Sequence, residues 1–331
     1  MTDVSQSHIG EGEQRPAPGS SSHAKPSIAV LLPCFNEERT IGDVIRGFRH
    51  VLPDAVVYVY DNNSTDNTAT VAHRSGAIVR RERYQGKGNV LRRMFADVEA
   101  DIYLLADGDL TYDMSSAGVL VQTLIANNVD MVVGVRVESG EGAYRPGHRF
   151  GNRLFNRTVA LLFGDAFTDI LSGYRAMSRR FVKSFPASSS GFETETELSI
   201  HALDLKLASI EVPLPYGERP QGSASKLRTY HDGMRIFLTI MMMYRALHPF
   251  QFYGIAALCL FALALALGIP IIATYLETGL VPRFPTAILA AGIVQIGFLS
   301  LVCGLIIEAI SSARRELKRM RYLDLPAPDH R

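Results

Sequence analysis

Ile102-Tyr103-Leu104-Leu105-Ala106-Asp107-Gly108-Asp109 reads as a short apolar strand that ends on two carboxylates separated by one glycine. Two carboxylates so placed make a compact oxygen pocket suited to a hard divalent cation that itself carries a diphosphate. The glycine lets a bulky ligand approach the backbone closely. An isolated Asp-Gly-Asp is equally ordinary turn chemistry, because both residue types favour turns. The flanking chain separates the two readings.

Outward from this stretch, strand and helix signals alternate. Apolar runs at 28–32, 55–60, 77–80, 102–106 and 131–135 predict strands, and segments 40–50, 68–75 and 89–98 predict helices. Strands separated by helices of about ten residues imply an α/β fold with a mostly parallel, Rossmann-like sheet. Ligands of such sheets bind outside the carboxyl ends of the strands. Three predicted strand ends carry polar clusters: Asn36-Glu37, Asp61 to Asp66, and Asp107-Gly108-Asp109. Converging on one crevice, they point to a site rather than to three unrelated turns. A dinucleotide dehydrogenase fits poorly. Gly86-Lys87-Gly88 begins like a Gly-x-Gly fingerprint, but Leu91 stands at the third glycine position and Pro33 follows the first strand. No Walker-type phosphate loop is present.

The 331 residues carry a formal charge of +1, so nothing argues for a nucleic-acid partner. Hydrophobicity is concentrated toward one end. No Asp, Glu, Lys or Arg occurs from Ala246 to Leu276 or from Phe284 to Ile307. Each stretch exceeds the ~20 apolar residues that cross a bilayer as a helix, which predicts a hairpin of two spans at about 252–274 and 285–308. Arg235, Arg245, Arg314, Arg315, Lys318, Arg319 and Arg321 flank the pair, while the connecting loop holds only Arg283. The positive-inside rule then puts both ends on the cytoplasmic side of the inner membrane. Cys34, Cys259 and Cys303 have no paired spacing, which fits a reducing compartment. The expected organisation is a disordered tail at 1–26, a catalytic domain at 27–228, a juxtamembrane amphipathic helix at 229–249, the hairpin at 250–310 and a basic cytoplasmic tail at 311–331.

Pro33-Cys34-Phe35-Asn36-Glu37, the Asp61 cluster and Asp107-Gly108-Asp109 occur in the order and spacing of family 2 glycosyltransferases with the GT-A fold. More narrowly, the chain resembles the polyprenyl-phosphate glycosyltransferases, the dolichol-phosphate mannose synthase-like group with two C-terminal membrane helices. Gly86-Lys87-Gly88, Ser172-Gly173-Tyr174-Arg175 and Gly222-Ser223-Ala224-Ser225-Lys226-Leu227 carry that narrower resemblance. It implies inverting transfer of a hexose from a UDP- or GDP-linked nucleotide-sugar to a polyprenyl phosphate such as undecaprenyl phosphate. The cofactor implied is Mg²⁺ or Mn²⁺, and the partners are donor, lipid acceptor and membrane, with a homo-oligomer allowed.

Residue by residue, the resemblance implies that Pro33, Phe35, Glu37 and Asp61 cradle the nucleoside, with Lys87 also on the donor side. Asp107, Gly108 and Asp109 face the diphosphate, the two aspartates through the metal. Arg136 faces the sugar-phosphate region. Asp169, Arg175, Arg219, Ser225 and Lys226 surround the acceptor phosphate and the leaving group. The chain departs from the family's commoner pattern in Phe35, where a Tyr is frequent, in Thr111, where a Gln is frequent, and in one extra residue before Lys226.

Chemistry agrees with a cation-rich site. A phosphate monoester has a second pKa near ~6, so the acceptor is already largely deprotonated at neutral pH. Holding two anionic groups together then matters more than a base, and Arg175, Arg219 and Lys226 would supply that charge. Asp169 is either an orienter or base, or a helix cap or ion-pair partner of Arg175. Glu193, Glu195 and Glu197 share a face if their segment is a strand and splay apart if it is a helix; Glu197 matches an acidic position of the family. Segment 230–244 reads as an interfacial helix or as an ordinary core helix. A processive polysaccharide synthase would need a Gln-x-x-Arg-Trp motif, and this chain has no Trp. A catalytically silent membrane scaffold would be expected to have lost part of the acidic and basic set.

Overall fold

The computed structural model describes residues 25–138, 146–164, 167–217 and 229–326. Its sheet domain opens with β1 (Ile28–Cys34), α1 (Ile41–Val51), β2 (Val56–Asp61), α2 (Thr68–Arg74), β3 (Ile78–Arg81), α3 (Lys87–Asp97) and β4 (Ile102–Leu105). It continues through α4 (Ala117–Ala126), β5 (Met131–Glu138), α5 (Pro146–Phe163), β6 (Arg175–Ser178), α6 (Arg179–Ser184), α7 (Thr194–Leu205) and β7 (Ser209–Tyr216). The helices α8 (Thr229–Leu247), α9 (Pro249–Thr278) and α10 (Phe284–Leu323) complete the chain.

The seven strands form one sheet in the order β3-β2-β1-β4-β6-β5-β7. β6 runs antiparallel to both β4 and β5, and every other pairing is parallel. The sheet is therefore mostly parallel, as the sequence implies. β1 shows why its apolar run is continuous. Ala29 and Leu31 face one core layer, while Val30, Leu32 and Cys34 face the other. A strand covered on both faces has no solvent side, so the usual alternation disappears. Each fully buried leucine in it contributes about 1.5–3 kcal/mol.

Helices cover both faces. Ile41, Val44, Ile45 and Phe48 recur at helical spacing along α1 and pack on one layer with α4. On the other layer, Val90, Leu91 and Met94 of α3 meet Phe181 and Val182 of α6 and Leu198 of α7. His201 lies in this layer between Phe181 and Phe185, its Nε2 3.2 Å from Ser184 Oγ. Burial lowers its pKa to about 3, so the ring is neutral and structural.

The segment read two ways from sequence has both characters. Ile236, Ile240 and Tyr244 of α8 are buried in the core, while Met234, Phe237, Leu238 and Met242 are exposed. α9 and α10 are long and apolar enough to span a membrane, and only 11% of the most apolar stretch of each is buried. A soluble core helix would be mostly buried. The two helices pack tightly on each other. A Cβ on Gly304 would lie 3.1 Å from Tyr253 Cβ, and Ser300 donates a hydrogen bond to the Tyr253 carbonyl at 3.0 Å. Ser300 and Gly304 thus sit where the two helices touch.

The basic segment after the second apolar stretch is not a separate tail. α10 continues to Leu323 and returns to the sheet domain. Arg315 Nε and Lys318 Nζ donate to the buried Asp204 carboxylate at 2.8 and 3.1 Å, and Tyr322 donates to Asp130 at 2.8 Å.

Candidate active site

β1, β2 and β4 run parallel, so the segments that follow them emerge on one edge of the sheet. The antiparallel β6 begins on that same edge, which brings Ser172-Gly173-Tyr174 beside the Asp pair. Hydrogen bonds lock the first two segments together. Asn36 donates its backbone N–H to Ser64 Oγ at 2.9 Å and accepts from the Thr65 N–H at 2.8 Å. Glu37 donates its backbone N–H to Thr68 Oγ1 at 2.8 Å. Thr40 Oγ1 donates to the Gly108 carbonyl at 2.6 Å and so ties the first segment to the third. Asp61 is buried and accepts from the Ser64 N–H at 3.2 Å. Pro33 lies inside β1 opposite Tyr60, and Phe35 and Glu37 are half-buried beyond its end.

Asp109 is buried, and its Oδ1 accepts from Thr111 N–H at 3.2 Å and Oγ1 at 2.6 Å. Between them Leu110 adopts φ 61°, a left-handed conformation costly for a branched side chain and often found at functional sites. Gly108 has a different reason from the one expected. A Cβ there would sit 2.9 Å from Cys34 Sγ and 3.4 Å from Ile41 Cδ1. The protein's own packing fills the space that sequence reading assigned to a ligand.

Lys87 Nζ bridges Asp107 Oδ1 and Glu195 Oε1, the latter at 2.5 Å. Burial disfavours the ammonium, but Asp107 and Glu195 outweigh burial and hold its pKa above the ordinary lysine range. Lys87 thereby sits on the first aspartate rather than apart from it. Its backbone is fixed by neighbours: Gly88 N–H donates to the Ser190 carbonyl at 3.1 Å.

Arg136 and Asp169 form a two-pronged pair, Nε to Oδ2 and Nη2 to Oδ1, both at 2.7 Å. Burial would raise the Asp169 pKa, yet the Arg136 hydrogen bonds and charge hold it below the usual carboxylate range. Glu211 of β7 fixes the approach, accepting from Thr168 N–H at 2.8 Å and Asp169 N–H at 3.2 Å. Of the alternatives open for Asp169, an ion pair is present, but its partner is Arg136 rather than Arg175.

Arg175 is fully buried. Its Nε donates to the Ser172 carbonyl at 2.8 Å, and its Nη2 to the Ile170 carbonyl and Ser199 Oγ at 2.9 and 3.0 Å. Desolvation lowers its pKa to about 10, so it stays charged at neutral pH. The expected phosphate contact is corrected: with its donors turned to backbone carbonyls beneath the surface, Arg175 braces the 170–175 turn. Arg219, Ser225 and Lys226 lie outside the described residues.

Helix α7 resolves the three glutamates. Glu197 accepts from Ser188 and Ser189 N–H groups at 2.9 Å each, and Glu193 accepts from Gly191 N–H at 3.0 Å. Both brace the turn under Gly86 and Gly88. Glu195, not Glu197, reaches the site. Sequence reading also missed Tyr112, whose hydroxyl accepts from Gly173 N–H at 2.9 Å. Its only signal was proximity to the Asp pair.

Among the described residues, no three His, Cys, Asp or Glu side chains gather into a metal cage. Two carboxylates fit a Mg²⁺- or Mn²⁺-type ion only when substrate phosphates complete its coordination. Asp109 keeps its orientation through Thr111, and Asp107 is the more exposed of the two.

Residues 29–185 match the family described as Glycosyl transferase family 2. The glycosyltransferase AglJ of Haloferax volcanii is 32% identical over 301 residues, 90% of this chain and 98% of that protein. The dolichyl-phosphate hexose transferase of the same organism is 27% identical over 215 residues, 65% of this chain and 92% of its own. A crystal structure of glucosyl-3-phosphoglycerate synthase from Mycobacterium tuberculosis, in complex with Mn²⁺, UDP-glucose and phosphoglyceric acid, aligns with a TM-score of 0.54. That similarity is at 26% identity and covers 66% of this chain and 80% of the other.

Proposed function

We propose that this chain, which belongs to glycosyl transferase family 2, moves a hexose from a UDP- or GDP-linked donor onto a polyprenyl phosphate at the cytoplasmic face of the membrane. One observation carries this reading. A strand-end crevice holding Asp107 and Asp109 shares a chain with an exposed apolar hairpin, and Asp204 pins that hairpin's second helix to the catalytic domain. Similarity to a dolichyl-phosphate hexose transferase supports the acceptor class. Similarity to an enzyme in complex with Mn²⁺ and UDP-glucose supports the donor class and a divalent metal.

In this reading Pro33, Phe35, Glu37 and Asp61 hold the nucleoside, while Asp107 and Asp109 hold the metal-bound diphosphate. A divalent metal held by these two aspartates would supply positive charge to the leaving diphosphate. An acceptor phosphate oxygen bonds to the anomeric carbon as the bond to the diphosphate breaks, a single displacement with inversion. Because the acceptor phosphate is already largely ionised, Asp169 need not take a proton. Its low pKa makes it a poor base; it orients Arg136 toward the sugar-phosphate region. Arg219, Ser225 and Lys226 are assigned to the acceptor phosphate.

The test is a donor screen. The purified full chain with undecaprenyl phosphate, Mg²⁺ or Mn²⁺ and radiolabelled UDP-glucose, UDP-N-acetylhexosamine or GDP-mannose should yield a chloroform-soluble label from one donor. Absence of product from every donor, with a membrane protein still captured, would favour a silent scaffold.

A further inference from the structure

We propose that Glu195 is a positioning residue that receives the Lys87 ammonium when a metal-bound diphosphate claims Asp107. This rests on the donor site described above.

Three observations converge. First, one ammonium is shared between two carboxylates, with Lys87 Nζ on Asp107 Oδ1 and 2.5 Å from Glu195 Oε1. Second, the two acids differ in access. The Asp107 side chain is 30% exposed and that of Glu195 is 5% exposed, so an incoming cation meets Asp107. Third, Glu195 Oε2 is buried without a hydrogen-bond partner. A buried carboxylate oxygen left unpaired is costly and calls for a reason. An ammonium has three donors, so this oxygen can accept a further bond from Lys87.

The surroundings limit what can move. A Cβ on Gly173 would lie 3.0 Å from Asp107 Oδ2 and 3.1 Å from Lys87 Nζ, so the 172–174 turn closes one side. Cβ atoms on Gly86 and Gly88 would lie 2.1 and 2.3 Å from the Ser190 and Ser189 carbonyls, which holds the backbone on either side of Lys87. Only the far end of the lysine has freedom. A divalent ion and an ammonium on one carboxylate repel each other. Shifting Nζ toward Glu195 relieves that repulsion and keeps every buried charge paired. No proton is transferred and no covalent bond changes.

The full chain in detergent, with saturating UDP and in parallel GDP, is titrated with Mn²⁺, and free Mn²⁺ is counted by electron paramagnetic resonance. Glu195→Gln leaves the ammonium held by Asp107 alone, so the Mn²⁺ midpoint should rise about tenfold, the weight of one charge-assisted hydrogen bond. Removing the competing cation as well, in K87M/E195Q, should return the midpoint to the wild-type value or below. A merely structural glutamate would lower thermal stability in both variants without this reversal. A Glu195→Gln midpoint within twofold of wild type, or no recovery in the double variant, overturns the proposal alone. Should Glu195→Gln not fold, Glu195→Asp, whose shorter side chain draws the carboxylate back from Nζ, is compared with K87M/E195D by the same criterion. If the wild-type chain takes up no Mn²⁺ with either nucleotide, the donor-site reading falls, and this inference with it.

Discussion

Arg136 at the end of β5 and Asp169 before β6 are joined by two parallel hydrogen bonds of 2.7 Å, on the edge of the sheet where the Asp107 and Asp109 carboxylates also stand. Under the proposed function, the pair would offer an oriented cation in place of a catalytic base. Such a substitution is sensible when the nucleophile arrives ionised, and it constrains how the protein should respond to acid and to mutation.

Asp169→Asn should cost about 3 kcal/mol of stability at pH 7, the typical penalty for breaking a buried pair. The folded-state pKa of Asp169 is lowered, so its contribution is complete above the unfolded value of ~3.9 and is lost as pH falls from there through the folded value. Thermal unfolding of wild type and variant in one detergent should therefore differ at pH 7 and converge below pH ~4. Curves that stay parallel down to pH 3 would remove the ion pair from the stability account.

Asp109→Asn should retain the turn, because the amide oxygen can still accept from Thr111, while donor turnover falls by at least about 100-fold. Asp109→Ala should lose the same activity and in addition about 1 kcal/mol, the net worth of the lost hydrogen bonds. Equal turnover by Asp109→Asn and wild type would take Asp109 off the diphosphate.

Arg175→Met should behave as a folding variant. It strands the Ser172 and Ile170 carbonyls in the interior, which should cost about 3 kcal/mol. Any surviving activity should show a reduced kcat with an unchanged KM for the lipid phosphate. A selective rise in acceptor KM at unchanged thermal stability would restore the phosphate-binding role read from the sequence.

Asp204→Asn should loosen α10 from the catalytic domain, since Arg315 and Lys318 share that carboxylate. The expected result is faster trypsin cleavage at the 313–321 basic segment, with the sheet still protected. Unchanged cleavage would mean that the docking rests on the remaining contacts, the Tyr322–Asp130 hydrogen bond among them.

The parts visible in the sequence were those encoded locally. β1 and β4 are buried on both faces and so appear as unbroken apolar runs, and the polar clusters at strand ends follow from parallel topology. β6 was not legible. Its four residues, Arg-Ala-Met-Ser, are all buried yet two are polar, and only the turn before it gives Arg175 its partners. The same distance effect hid Glu195. Its alternation with Glu193 and Glu197 suits a strand or a helix, and only Lys87, about a hundred residues earlier in the chain, marks it out. Gly108 shows the converse, since its conformational reading was reasonable but Cys34 supplies the constraint.

Mass spectrometry of the lipid phase tests the central claim most directly. Undecaprenyl phosphate incubated with the full chain, the accepted nucleotide-sugar and Mn²⁺ should gain the mass of one sugar residue, with one nucleoside diphosphate released per lipid converted. Nucleoside diphosphate released with the lipid unchanged, or a ladder of added sugars, would contradict it.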